Sequence, residues 1–235
     1  MGDLGEAVDR LNIKKAVGID GIPRIVCKLI YEHRAQNLLA MVNAIYEIGR
    51  IPAKWKVARL ILLNKPGRDP RLSSSHRPIS ILPAMSKVWE YTFKAEIEKE
   101  LGMDPRGSCR KKRLVCVMMC IDVKNAFNTL RWEEIMAEAR RRRFSYRFTW
   151  VIANYLKNRY VVFESQSGMI RREIFAGVPQ GSVVGPLLWN LVYDGLLARF
   201  DNQINVRAIA FADDLDIVTG ETHYAIRLSH VKFKQ

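Results

Sequence analysis

Residues 205–219, NVRAIAFADDLDIVT, read as two apolar strands, 205–211 and 215–219, joined by a tight acidic turn at Asp213 and Asp214. Residues 115–122, VCVMMCID, are apolar on both alternating faces and then stop at Asp122. That pattern predicts a buried central strand whose last residue emerges at the sheet edge. Each aspartate interrupts or ends an apolar run, and two carboxylates about 4 Å apart repel by about 4 kcal/mol at an effective dielectric near 20. Adjacent Asp213 and Asp214 therefore ask for a cation. With no histidine or cysteine in the same turn, oxygen donors alone suit Mg²⁺ or Mn²⁺ and not zinc. An Asp-Asp pair standing alone would be ordinary turn chemistry. Its neighbours in sequence decide otherwise.

Outward from these strands, helices and strands alternate irregularly. Helices are expected over 4–15, over 24–49 as two segments after the GIDGIP turn, over 145–157, and from Pro186 through Phe200. Met85, Trp89, Phe93, Ile97 and Leu101 recur every four residues as one apolar stripe. Trp132, Ile135, Met136 and Ala139 give another, with Glu138 and Arg142 one turn apart and Arg140–Arg143 closing it. KVARLILL (56–63) predicts a strand running into a turn-rich loop, LNKPGRDPRLSSSHRPIS, and 159–164 and 170–176 flank SQSG as a hairpin. This mixture implies an α+β fold with an antiparallel sheet.

The chain has 235 residues, 38 Lys+Arg against 24 Asp+Glu, a net charge of +14 and 49% hydrophobic residues. That composition excludes a disordered tail and a disulfide miniprotein, and its charge implies an anionic partner. Nucleic acid outranks membrane, because no amphipathic basic helix dominates. The uncharged run 174–193 contains Gly177, Pro179, Gln180, Gly181, Gly185, Pro186 and Asn190, which fit a folded loop and helix start better than a membrane span. Cys27, Cys109, Cys116 and Cys120 include no CxxC pair and read as reduced thiols of an intracellular protein. The first residues carry no apolar targeting run.

Six blocks in order carry a resemblance. AFADDL (210–215) resembles the F/Y-A-D-D turn of reverse transcriptases, CIDVKNAFNTLRW (120–132) their first-aspartate motif, and AGVPQGSVVGPLLWNLVYDGLL (176–197) the long PQG motif between them. IPAKWKVARLILLNKPGRDP (51–70) and HRPISILPAMSKVWE (76–90) resemble the finger motifs of LINE-like, non-long-terminal-repeat retrotransposons, and KAVGIDGIP (15–23) their entry motif.

The resemblance implies a right-hand polymerase: fingers and an N-terminal extension over 1–101, a palm with residual finger elements over 102–219, and a divergent tail over 220–235. The expected chemistry is RNA-directed DNA synthesis, in which two Mg²⁺ or Mn²⁺ ions assist attack of a primer 3′-hydroxyl on a dNTP. Asp122, Asp213 and Asp214 would be catalytic, and with the Val123 carbonyl would ligate the metals. Phe127 matches the aromatic steric gate against a 2′-hydroxyl, although without the motif it would read as ordinary core. Gln180 and Gly181 match the turn that abuts the incoming nucleotide and template, and Lys65 and Arg77 are candidate triphosphate clamps. Arg110, Lys111, Lys112 and Arg113 read either as a nucleic-acid backbone contact or as a solvated loop. RNA template, DNA primer and dNTP are the implied partners, without a membrane, and target-primed synthesis implies nuclear work.

Two departures shape the expectation. The glutamine-glycine-phenylalanine-arginine block of the family is missing between 101 and 115, and 220–235 does not continue into a primer grip or thumb. The sequence therefore reads as a truncated or decayed copy without a thumb. The alternative from another class is a non-catalytic, basic nucleic-acid-binding remnant of such a polymerase.

Overall fold

The computed structural model describes residues 2–101, 116–123, 126–200, 206–211 and 214–220. The chain divides into two compact units, one formed by 1–103 and 125–192, the other by 104–124 and 193–235.

The larger unit begins with α1 (Gly2–Asp9) and α2 (Arg24–Ile48). The helix expected over 4–15 ends early because Asn12 competes for the backbone. Its side-chain Oδ1 accepts from the Lys14 N–H at 3.0 Å, and its carbonyl accepts from the Lys15 N–H at 3.2 Å, which closes a turn instead. The two segments expected over 24–49 form one merged helix broken by Arg34, whose φ of −144° is non-helical. Pro23 precedes α2, and Pro83 precedes α3 (Ala84–Glu100); a fixed φ near −65° suits each to the entry of a helix. The four-residue stripe on α3 faces the core. Trp89 stacks on Phe93 at 4.8 Å between ring centroids and on Tyr155 at 6.1 Å, while Tyr46 of α2 tilts against both Trp89 and Phe93. Such pairs add about 0.5–1.5 kcal/mol each beyond their area burial.

A four-stranded sheet completes this unit in the order β2-β1-β4-β5, from β1 (Val57–Asn64), β2 (His76–Ile81), β4 (Arg159–Ser165) and β5 (Gly168–Ile174). β2 falls inside the stretch expected to be a loop. Pro78 argues against a strand there, yet among the described strands β2 pairs only with β1, and an edge strand tolerates a missing N–H. The sheet is also mixed and not purely antiparallel: β1 runs parallel to β4 from Val57↔Tyr160 to Arg59↔Val162. At the start of that pairing Lys56, only 6% exposed, donates its amine to the Lys157 carbonyl at 3.2 Å, and burial pulls its pKa down to about 8. The β4–β5 hairpin forms as expected, its turn tied by Ser165, whose hydroxyl donates to the Gly168 carbonyl.

α5 (Trp132–Arg141) and α6 (Tyr146–Leu156) follow the expected periodicity, and a short α4 (Ala126–Thr129) that no periodicity announced precedes them. Ser145 caps α6 by accepting from the Phe148 N–H. The Glu138–Arg142 pair forms at 2.8 Å and Arg141 joins it at 2.6 Å. α7 (Gly185–Leu197) begins next to the expected proline and stops three residues short of Phe200, where i→i−3 bonds from Arg199 and Phe200 tighten the chain out of α-geometry.

The smaller unit contains a three-stranded antiparallel sheet in the order β3-β7-β6, from β3 (Cys116–Asp122), β7 (Asp214–Gly220) and β6 (Val206–Phe211). The apolar run of β3 predicts a place at the centre of its sheet. Among the described strands that place belongs to β7, and β3 lies at the edge with Met119 50% exposed. A continuous apolar run does not tell a central strand from an edge strand. Among the described residues no helix is long and apolar enough to cross a membrane.

Candidate active site

In the smaller unit, β6 and β7 pair antiparallel as the two arms of a hairpin. Phe211 pairs with Asp214, and the ladder runs back to Val206↔Thr219. β7 pairs on its other side with β3, and the last rung of that ladder is Asp122↔Asp214. Directly opposed positions in an antiparallel pair lie about 4.5–5.5 Å apart at Cα. The backbone therefore brings Asp122 beside Asp214 across more than ninety residues of sequence. Val123 follows β3 directly. Asp213 lies outside the described residues, as do Arg110, Lys111, Lys112 and Arg113. Among the described residues no group of three or more His, Cys, Asp or Glu gathers as a metal centre requires.

In the larger unit the PQG turn is the organising element. Phe127, on α4, packs its ring 5.6 Å from Trp189 of α7, and its carbonyl accepts from the Val178 N–H at 2.7 Å. The Gly177 N–H donates to the Leu130 carbonyl at 2.7 Å, and the Trp132 indole N–H donates to the Gly177 carbonyl at 2.8 Å. Farther along the turn, the Gln180 carbonyl accepts from the Ser80 N–H of β2 at 2.8 Å. The turn thus joins Phe127 to the outer edge of β2, the strand that carries Arg77. Gly181 has φ +110°, and a Cβ there would sit 2.8 Å from the Ser80 carbonyl oxygen. Only glycine fits both the torsion and the approach.

Lys65 and Arg77 share the β1–β2 hairpin. Arg77 pairs with Leu63 and is exposed; the Lys65 amine donates to the Ser74 carbonyl at 2.9 Å, and its N–H donates to the Ser75 carbonyl at 2.7 Å. Lys65 is thereby tied into the hairpin loop.

Behind the PQG turn lies a polar cluster to which the sequence reading assigned no role, although Lys87 and Glu90 both fall within the 76–90 finger motif. Glu90, on α3, is 1% exposed; one carboxylate oxygen accepts from the Tyr155 hydroxyl at 3.2 Å and the other from the Val183 N–H at 2.5 Å. Burial drives the Glu90 pKa upward, against the opposing pull of Arg159, of these hydrogen bonds and of Lys87. Arg159 is 2% exposed, lies over the Tyr155 ring at 4.0 Å and donates to the Tyr155 carbonyl at 2.6 Å. Half-buried Lys87 donates its amine to the Gly181 carbonyl, and burial lowers its pKa. One signal was available: Glu90 follows Trp89 within an otherwise apolar turn, where a carboxylate needs a partner.

Residues 63–233 match the family described as reverse transcriptase (RNA-dependent DNA polymerase). A putative 115 kDa protein of the type-1 retrotransposable element R1DM of Drosophila melanogaster is 27% identical over 234 residues, covering 91% of this chain and 22% of its own length. The RNA-directed DNA polymerase from mobile element jockey of the same species is 25% identical over 244 residues, covering 90% and 26%. The chain spans about a quarter of the length of these curated relatives. Among solved structures, apo telomerase from Candida tropicalis truncated from its C-terminal domain matches with a TM-score of 0.53 at 11% identity, over 77% of this chain and 48% of its own. The likeness in fold is that of a polymerase, and the matched span makes this chain a member of the reverse transcriptase family.

Proposed function

We propose that this chain forms the fingers and palm of a retrotransposon RNA-directed DNA polymerase that adds dNTPs to a primer 3′-hydroxyl on an RNA template. The observation that carries the reading is the register of Asp122 against Asp214 at the mouth of the β6–β7 hairpin. Fingers over 1–101 and palm over 102–219, with a divergent tail over 220–235, belong to the same reading, as does nuclear action.

Asp122, Asp213 and Asp214, with the Val123 carbonyl, offer an all-oxygen donor set that fits two Mg²⁺ or Mn²⁺ ions and no softer metal. Such ions, when bound, sharpen the attacking hydroxyl and neutralise charge on the phosphate. The chain's own part is to hold the carboxylates together, a task suited to strand pairing because it needs no local sequence link. Lys65 and Arg77 on the finger hairpin receive the triphosphate, Arg77 by its forked guanidinium and Lys65 as a point charge. Gln180 and Gly181 border the nucleotide, and the Phe127 ring occupies the place a 2′-hydroxyl would need. Arg110, Lys111, Lys112 and Arg113 contact the nucleic-acid backbone.

The decisive experiment is primer extension by the purified chain with dNTPs, RNA template and Mg²⁺. Extension that disappears in Asp122→Ala and in Asp213→Ala, with thermal unfolding unchanged, is the expected result. Extension that survives either change rejects the assignment. Salt-sensitive RNA binding with no incorporation at any metal concentration favours the basic remnant instead.

A further inference from the structure

The PQG turn is gripped by two residues of one helical turn, and their charges match the groups they hold. Lys87 and Glu90 are three apart on α3, hence neighbours on its surface. The cation of Lys87 meets a carbonyl, that of Gly181; the anion of Glu90 meets an N–H, that of Val183. From the β2 side the Ser80 N–H holds the carbonyl of Gln180. Three polar contacts therefore fix the backbone from Gln180 to Val183, on a segment that bears the positive φ of Gly181.

We propose that Lys87 and Glu90 are positioning residues that clamp the Gln180–Gly181 peptide in the conformation presented to the incoming nucleotide. What the turn meets rests on the polymerase reading above; the clamp itself rests on the contacts. A buried carboxylate is a poor device for stability alone, because desolvating it costs several kcal/mol and a neutral side chain of similar size is often as stable. What a carboxylate adds here is direction: one oxygen is anchored by the Tyr155 hydroxyl, so the other points at a single backbone N–H. Lys87 completes the fixation at the adjoining carbonyl. Neither residue need touch the substrate to govern where Gln180 stands.

Hydrogen exchange on the full chain, followed peptide by peptide, tests the clamp without requiring catalysis. Lys87→Met and Glu90→Gln should each lower protection across residues 177–184 by about tenfold or more while other segments keep theirs. Lys87→Arg, which restores a cationic donor, should recover it. Glu98→Gln, on the same helix but paired to Lys94 at the surface, should leave the turn unchanged. Unaltered exchange at 177–184 in both Lys87→Met and Glu90→Gln overturns the clamp, and so does a uniform loss of protection throughout the larger unit.

In primer extension, the same two variants should raise KM for dNTP about tenfold with little change in kcat, as loss of nucleotide placement requires. Local loosening with an unaltered KM overturns the positioning role. A wild-type chain that incorporates nothing rejects the polymerase reading, and exchange then decides the clamp by itself.

Discussion

Gly181 carries both a positive φ and a contact too close for a side chain, whereas Gly21 has φ +68° with open space around it. Comparing the two separates torsion from crowding. Gly21→Ala should cost about 1–2 kcal/mol, the penalty of a left-handed L-residue. Gly181→Ala should cost more, about 2–4 kcal/mol, because the Ser80 carbonyl must also give way and the Ser80 bond to Gln180 stretches. Urea denaturation of both variants checks the ranking, and equal losses would remove crowding as a factor. Phe127 belongs to the same scale. Its ring rests on Trp189 and its carbonyl is bonded to Val178, so its position is fixed from two sides. Phe127→Val should admit ribonucleotides into the extended primer, read by competition between dNTP and rNTP; unchanged sugar discrimination removes the ring from the gate role.

Among the elements, the C-terminal turn of α5 gathers two arginines onto one carboxylate. Glu138 accepts from Arg141 at 2.6 and 2.8 Å and from Arg142 at 2.8 Å, and its side chain is 10% exposed. The hydrogen bond from Arg141, then that from Arg142, holds its pKa below the ordinary glutamate value despite burial. A depressed carboxylate stabilises the fold in full above the ordinary glutamate value of about 4.5. That stability drains away as pH falls through the lower folded-state value. Glu138→Gln should therefore lose about 1 kcal/mol at pH 7, a figure discounted for the exposure of Arg141, and show a flatter acid limb. Thermal melts between pH 7 and pH 3 measure both. At the same scale the hairpin β1–β2 shows how an element escapes sequence reading: proline speaks against β2, and only its place at the sheet edge explains why the strand survives.

For the whole molecule the governing quantity is a net charge of +14. Binding to RNA or DNA should weaken steeply with salt, the slope counting phosphates neutralised. Replacing Arg110, Lys111, Lys112 and Arg113 together by glutamine should reduce that slope by up to about 3 to 4, measured by fluorescence anisotropy from low to moderate salt. An unchanged slope would return the segment to the solvated-loop reading.

By itself the sequence determined the family, through ordered blocks that survive at 25–27% identity, and most helices, because an apolar stripe of fixed period must find a core wherever it lies. It also marked Asp122, Asp213 and Asp214 as carboxylates out of keeping with their apolar strands. Tertiary structure alone decided that β7 separates β3 from β6 and that Asp122 pairs with Asp214, since strand pairing joins positions with no local relation in the chain. The same holds for the grip of Lys87 and Glu90 on a turn more than ninety residues away. A charge inside an apolar helix turn announces that it needs a partner; which backbone group supplies that partner is settled only when the elements pack.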